Sequence, residues 1–144
     1  MLLPITLTAA AACAFLHIWL SLRSSAVRMK ANISLGDGGN PVMLQRMRAH
    51  ANLVENAPFF LVLIAVLELS GAWQTLLWAA VVLFVIARIA HALGMDRPAP
   101  NPFRIAGTMI SLAVIGALAI WAIIVSYDAA NAPPQRQQAP VIRA

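Results

Sequence analysis

The stretch Ile105–Tyr127, IAGTMISLAVIGALAIWAIIVSY, contains no formally charged side chain. A bilayer core of roughly 30 Å takes about 20 residues of helix at 1.5 Å each, so this run is long enough to cross one. Just before it, Asn101-Pro102 reads as a helix N-cap followed by the first helical residue. Gly94 and Pro98 close the preceding span, which covers about Ala72 to Leu93, and Arg97-Pro98-Ala99-Pro100 cannot continue a helix. Ser70-Gly71 marks the turn before that span. The same cap-then-proline pattern at Asn40-Pro41 starts a second helix, whose longest uncharged run is Asn56–Leu67. It follows a turn at Gly36-Asp37-Gly38-Gly39, where glycine supplies positive φ angles. The first span, Ile5–Leu22, carries no charge except a possible one on His17, and the helix is expected to continue through Arg28 toward Ile33. A signal peptide would need a basic leading region and a shorter apolar run, so this segment reads as a membrane helix. The fold class is therefore all-α, an integral membrane four-helix bundle over residues 1–128. The Ala-, Pro- and Gln-rich tail 129–144 is expected to be disordered.

Composition requires the same conclusion. Of the 144 residues 61% are apolar and 10% charged, whereas soluble domains carry roughly 25% charged residues. Too few polar side chains exist to cover four helices in water. The net charge of +5 does not indicate a nucleic-acid partner, because the basic residues are not gathered into one run. They follow the tendency of Lys and Arg to stay on the cytoplasmic side. Arg23, Arg28 and Lys30 flank the first loop, with Arg46 and Arg48 just beyond, and Arg97 and Arg104 flank the third. Loops one and three are thus expected in the cytoplasm and both termini outside. Cys13, the single cysteine, can form no intrachain disulfide and reads as a small buried residue.

A charged side chain at mid-membrane costs about 2.5–3.5 kcal/mol on insertion scales, so such residues face a protein interior. Arg48, Asn52 and Glu55 recur at i, i+4, i+7 on one face of the second helix, with Gln45 a turn earlier. One reading is a polar ladder that only stabilises the bundle. The other notes that arginines also occur elsewhere: Arg88, with His91 three residues on, in the third helix, Arg104 opening the fourth and Arg28 closing the first. On the expected topology all lie in the cytoplasmic half. Four arginines from four helices would converge there with Glu55 as the obvious counter-ion. An anion with carboxylates or phosphates would satisfy them, since guanidinium grips such groups bidentately. His50 points away from Arg48 and reads as an interfacial histidine, His17 as hydrogen-bonded between helices, and Glu68 as solvated at the outer end of its helix. Neither metal-ligand spacing nor a Ser-His-Asp arrangement nor a phosphate-cradling glycine loop is evident.

The segment Arg48-Ala49-His50-Ala51-Asn52-Leu53-Val54-Glu55-Asn56-Ala57-Pro58 resembles the second helix of the MAPEG family, the membrane-associated proteins of eicosanoid and glutathione metabolism. Ala87-Arg88-Ile89-Ala90-His91-Ala92-Leu93-Gly94 is similar to its third helix, and Arg28 and Arg104 match in order. The glycine turn resembles the small bacterial branch, which implies a bacterial inner membrane. The resemblance implies a homotrimer binding glutathione between neighbouring subunits through Arg28, Arg48, Asn52, Glu55, Arg88, His91 and Arg104. Asn52 and Glu55 would hold the polar end of the tripeptide, and the arginines its carboxylates. Arg104 would be the catalytic residue, stabilising the glutathione thiolate for attack on a hydrophobic, electrophilic substrate entering from the lipid. Where family enzymes often carry tyrosines this chain has Met95 and Thr108. Ile105 stands where the prostaglandin-synthase branch uses serine, which argues against prostaglandin isomerisation. Ala51 replaces a basic residue of several eukaryotic members. The expected activity is a glutathione-dependent transferase or peroxidase. The alternatives are a non-catalytic protein binding glutathione or lipid, and a structural membrane subunit.

Overall fold

A computed structural model describes residues 2–132. The chain forms α1 (Pro4–Lys30), α2 (Pro41–Leu69), α3 (Gln74–Gly94) and α4 (Pro102–Asn131), and each is long and apolar enough to cross a membrane. Proline stands at the first helical position of α1, α2 and α4, where its missing N–H removes no intrahelical bond. Asn40 Oδ1 accepts from the N–H groups of Val42 and Met43, and Asn101 Oδ1 from Phe103 N–H. Both cap-then-proline readings therefore hold.

Three boundaries differ from expectation. α1 stops at Lys30, short of Ile33, because Asn32 takes a left-handed conformation (φ 53°). Ile33 N–H then donates back to the Arg28 carbonyl, closing the last turn without glycine. α3 starts at Gln74, two residues later than expected. α4 runs past Asp128 to Asn131, whose side-chain amide donates to the Tyr127 carbonyl at 2.8 Å and binds down the final turn. The rest of the tail for which disorder is expected lies outside the described residues.

The helices alternate in direction around a four-cornered bundle. α1 packs on α2 and α3, α4 packs on α3 and α2, and α2 meets α3 across the middle. Among the described residues α1 and α4 do not touch, so they occupy opposite corners. The centre is apolar: Phe60 of α2 and Phe84 of α3 are both fully buried and stack with ring centroids 3.9 Å apart, with Ile64, Leu67 and Leu77 also buried. The outside is also apolar, with Phe15, Phe59 and Ile123 each exposed by about 70%. That surface suits lipid or another subunit and is unsuited to water.

Glu68 departs from the sequence expectation of a solvated residue. It is buried beside the start of α1, where its two oxygens accept from Ile5 N–H (2.9 Å), Thr6 N–H (2.8 Å) and Thr6 Oγ1 (2.6 Å). α1 has no cap of its own, since Leu3 precedes Pro4, and the end of α2 supplies one. A carboxylate there also faces the positive end of the helix dipole.

Candidate functional site

Two glycines set how closely α3 and α4 approach. A Cβ on Gly107 would fall 2.6 Å from His91 N and against the Ala87 carbonyl, and one on Gly94 would strike the backbone of Phe103 and Arg104. Only hydrogen fits at either position, and this close crossing brings the polar residues of the two helices into register.

Arg88 lies at the centre of that crossing, 3% exposed. Its Nε donates to Ser111 Oγ and its Nη2 to the Gly107 carbonyl, both at 2.8 Å, while Nη1 donates to Asn52 Oδ1. Ser111 Oγ donates in turn to the Gly107 carbonyl. One planar guanidinium thus ties α3 to α4 and α2, a geometry that lysine cannot reproduce. Leaving a buried guanidinium N–H unpaired would cost about 1–3 kcal/mol or more, which explains why three acceptors surround it. No carboxylate pairs with it among the described residues.

His91, also buried, lies one turn along. Its Nδ1 is 3.0 Å from Thr108 Oγ1 and 3.3 Å from the Arg104 carbonyl, to which Thr108 Oγ1 donates at 3.0 Å. The tautomer that gives every donor an acceptor puts the proton on Nδ1 and leaves Nε2 as an acceptor. Two neighbouring polar groups thus lie inside the bundle at this crossing, Asn52–Arg88–Ser111 and His91–Thr108 with the Arg104 carbonyl. Arg48, Glu55 and Arg104 sit at their exposed margin. Among the described residues Arg48 and Glu55 make no salt bridge, so the pairing that their spacing allows is not formed.

Arg28 stands apart. It lines a groove of about 470 Å³ between α1 and α2 with Ser21, Ser24, Met47 and His50, and its Nη1 donates to the Ile33 carbonyl at 3.3 Å. Since α1 and α4 hold opposite corners, one chain does not bring Arg28 alongside Arg104, and the expected convergence of four arginines is not met within it. His17 and His50 do join α1 to α2 as expected, with Nδ1 and Nε2 3.0 Å apart.

Sequence reasoning missed Asp96. Its carboxylate bridges Arg23 of α1 and Arg46 of α2, the latter at 3.2 Å, so Glu55 is not the main counter-ion of the cationic end. A signal existed in the expected topology, which sets Asp96 at the same membrane level as both arginines. Ser111 and Gly107, the main-chain and hydroxyl partners of Arg88, carried no sequence signal.

Residues 6–124 match the family model described as the MAPEG family. The chain is also similar to the inner membrane protein YecN of Escherichia coli K12, at 29% identity over 68 residues. The matched segment covers 47% of this chain and 52% of that protein, so it spans about half the length of the curated relative. The YecN protein of Escherichia coli O6:H1 matches to the same extent.

Proposed function

The chain belongs to the MAPEG family, and from that premise we propose that it is a multi-pass inner membrane protein that binds glutathione and transfers it to hydrophobic electrophiles. The observation that carries this reading is that Arg48, Glu55 and Arg104 are exposed beside residues fixed inside the bundle, Asn52 by Arg88 and His91 by the first turns of α4. Glutathione offers two carboxylates, one ammonium and a thiol. Arg48 matches a carboxylate and Glu55 the ammonium, which leaves Arg104 for the sulfur, and none of these three side chains has to leave a salt bridge elsewhere among the described residues.

Arg104 is the residue assigned to the thiol. A free thiol with pKa near 8.5 is mostly protonated at neutral pH, and each unit of lowering takes about 1.36 kcal/mol of preferential interaction with the thiolate. A guanidinium beside the sulfur in a site of low dielectric supplies one to two such units in order of magnitude. The proton leaves to solvent, the sulfur forms a bond to the electrophilic carbon, and the leaving group departs with the electron pair of the broken bond. In the peroxidase variant the sulfur attacks a lipid hydroperoxide oxygen and releases the alcohol. A second glutathione then closes the disulfide and releases water.

Arg28 enters this scheme from another copy of the chain. Its separation from Arg104 across the bundle supports a site shared between subunits of a homotrimer. The distribution of Lys and Arg supports an arginine-rich end in the cytoplasm and both termini outside. A second reading, glutathione binding without activation, is favoured by Thr108. That residue occupies the place of a family tyrosine, and its hydroxyl is engaged by His91 and the Arg104 carbonyl. An ultraviolet difference spectrum of glutathione added to the detergent-solubilised protein tests both. A thiolate band present in the wild type and absent in Arg104→Ala supports the transferase. Calorimetric binding without a band supports the binding protein, and neither signal rejects both in favour of a structural subunit.

A further inference from the structure

A groove of about 370 Å³ runs between the parallel helices α1 and α3 and is lined by Ala12, Phe15, Leu16, Trp19, Val85 and Ile89, all apolar apart from the indole N–H. It faces outward, with Phe15 73% exposed. At its Trp19 end the Arg23 guanidinium lies over the indole, 4.8 Å from the ring centroid. Beyond it lies the cluster of Arg23, Arg46 and Asp96.

That cluster is short of acceptors. Two guanidiniums face one carboxylate, leaving a surplus of one positive charge. Arg23 Nη1, Arg46 Nε and Arg46 Nη1 are buried without a hydrogen-bond acceptor. Arg46 Nη1 is near enough to Asp96 Oδ1 for an ion pair, at 3.2 Å, but not aligned to donate to it. Buried donors of this kind are costly, and phosphate oxygens satisfy guanidinium groups well. Tryptophan and arginine stacked at the end of a membrane helix also mark the level at which lipid headgroups lie.

We propose that this groove binds an acidic phospholipid, one acyl chain lying against Phe15, Trp19 and Ile89 and the headgroup phosphate at the Trp19–Arg23 end, held there by the surplus charge of the Arg23–Arg46–Asp96 cluster. The chain-lined groove favours a lipid over free phosphate. The surplus cation favours an acidic headgroup, because the ammonium of a zwitterionic one would be repelled. The site is separate from the glutathione-binding residues, and this reading does not depend on them.

The test is retention of lipid by the purified full-length protein, measured by native mass spectrometry. Phosphatidylglycerol and phosphatidylcholine with identical chains are compared, with inorganic phosphate as the third arm. One surplus basic charge near the headgroup gives an expected preference of about fivefold for phosphatidylglycerol. Arg46→Gln keeps the Arg23–Asp96 pair and should abolish the preference. Ala12→Phe fills the groove and should weaken both lipids while leaving the preference intact. Equal retention of the two lipids, a preference that survives Arg46→Gln, or inorganic phosphate displacing phosphatidylglycerol at equal concentration would each overturn the proposal. Should Arg46→Gln fail to fold, unchanged phosphatidylglycerol retention by Ala12→Phe overturns it instead.

Discussion

Glu68 Oε1 accepts the backbone N–H of Ile5 at 2.9 Å, so the last turn of α2 closes the first turn of α1, 63 residues away. A side-chain cap is worth about 0.5–2 kcal/mol, and a negative charge at a helix N-terminus adds about 0.3–1 kcal/mol. Glu68→Ala should therefore lower stability by about 1–3 kcal/mol in reversible denaturation, with α1 fraying first. Glu68→Gln keeps an acceptor but loses the charge, and should fall between the two. Equal stability of all three proteins would show that the contact contributes nothing.

The glycines separate packing from propensity. Alanine at Gly107 would press its Cβ against His91 N and the Ala87 carbonyl, and overpacking of this kind costs about 1–3 kcal/mol. A Cβ at Gly116, in the same helix, meets nothing within 4 Å. Gly116→Ala should be neutral or gain up to about 1 kcal/mol from helix propensity. The thermal midpoint should fall for Gly107→Ala and hold or rise for Gly116→Ala, and an unchanged midpoint for Gly107→Ala would contradict the close crossing of α3 and α4.

Arg88 and Arg104 should fail in different ways. Arg88→Lys cannot reach Ser111, Gly107 and Asn52 together, so its main effect is expected on stability, and Ser111→Ala should cost about 1.5–3 kcal/mol for one charge-assisted bond. Arg48, Glu55 and Arg104 are exposed, and replacing any of them with alanine should change stability by no more than about 0.5 kcal/mol. The same replacements should weaken glutathione binding about tenfold or more, as expected for loss of a charge-assisted contact. Paired melting curves and binding isotherms distinguish these patterns. An Arg104→Ala protein that melts early would place Arg104 among the structural residues.

The four helices were legible because lipid imposes a length and a composition, and because Asn-Pro announces a start wherever it occurs here. The helix ends were less so. Asn32 ends α1 in a conformation usually left to glycine, and no local pattern foretold it. Polar residues on one face of α2 were legible as a set through their spacing. Their division was not: Asn52 turns into the bundle to meet Arg88, while Arg48 and Glu55 stay outside. That depends on where α3 crosses, which the glycines at 94 and 107 determine. Asp96 was missed and Glu68 misjudged for one reason. Each lies near a helix end, where solvent is the default partner, and each is claimed by a helix distant in sequence.

The placement of Arg28 and Arg104 on helices that do not touch leads to the sharpest test of the shared site. Chains carrying Arg28→Ala and chains carrying Arg104→Ala should each be inactive when purified alone. If the chain forms the proposed homotrimer, co-expression in equal amounts gives mixed trimers at random. Where an Arg104→Ala chain presents its intact Arg28 to an Arg28→Ala chain with intact Arg104, the interface is complete. About a quarter of interfaces in a closed ring would be of this kind, so activity should recover to about a quarter of wild type. A site built within one chain would always contain one alanine and would recover nothing. The double variant Arg28→Ala/Arg104→Ala mixed with either single variant can form no complete interface and sets the baseline. Recovery above that baseline requires the two arginines to act from different chains, and none would return the site to a single bundle.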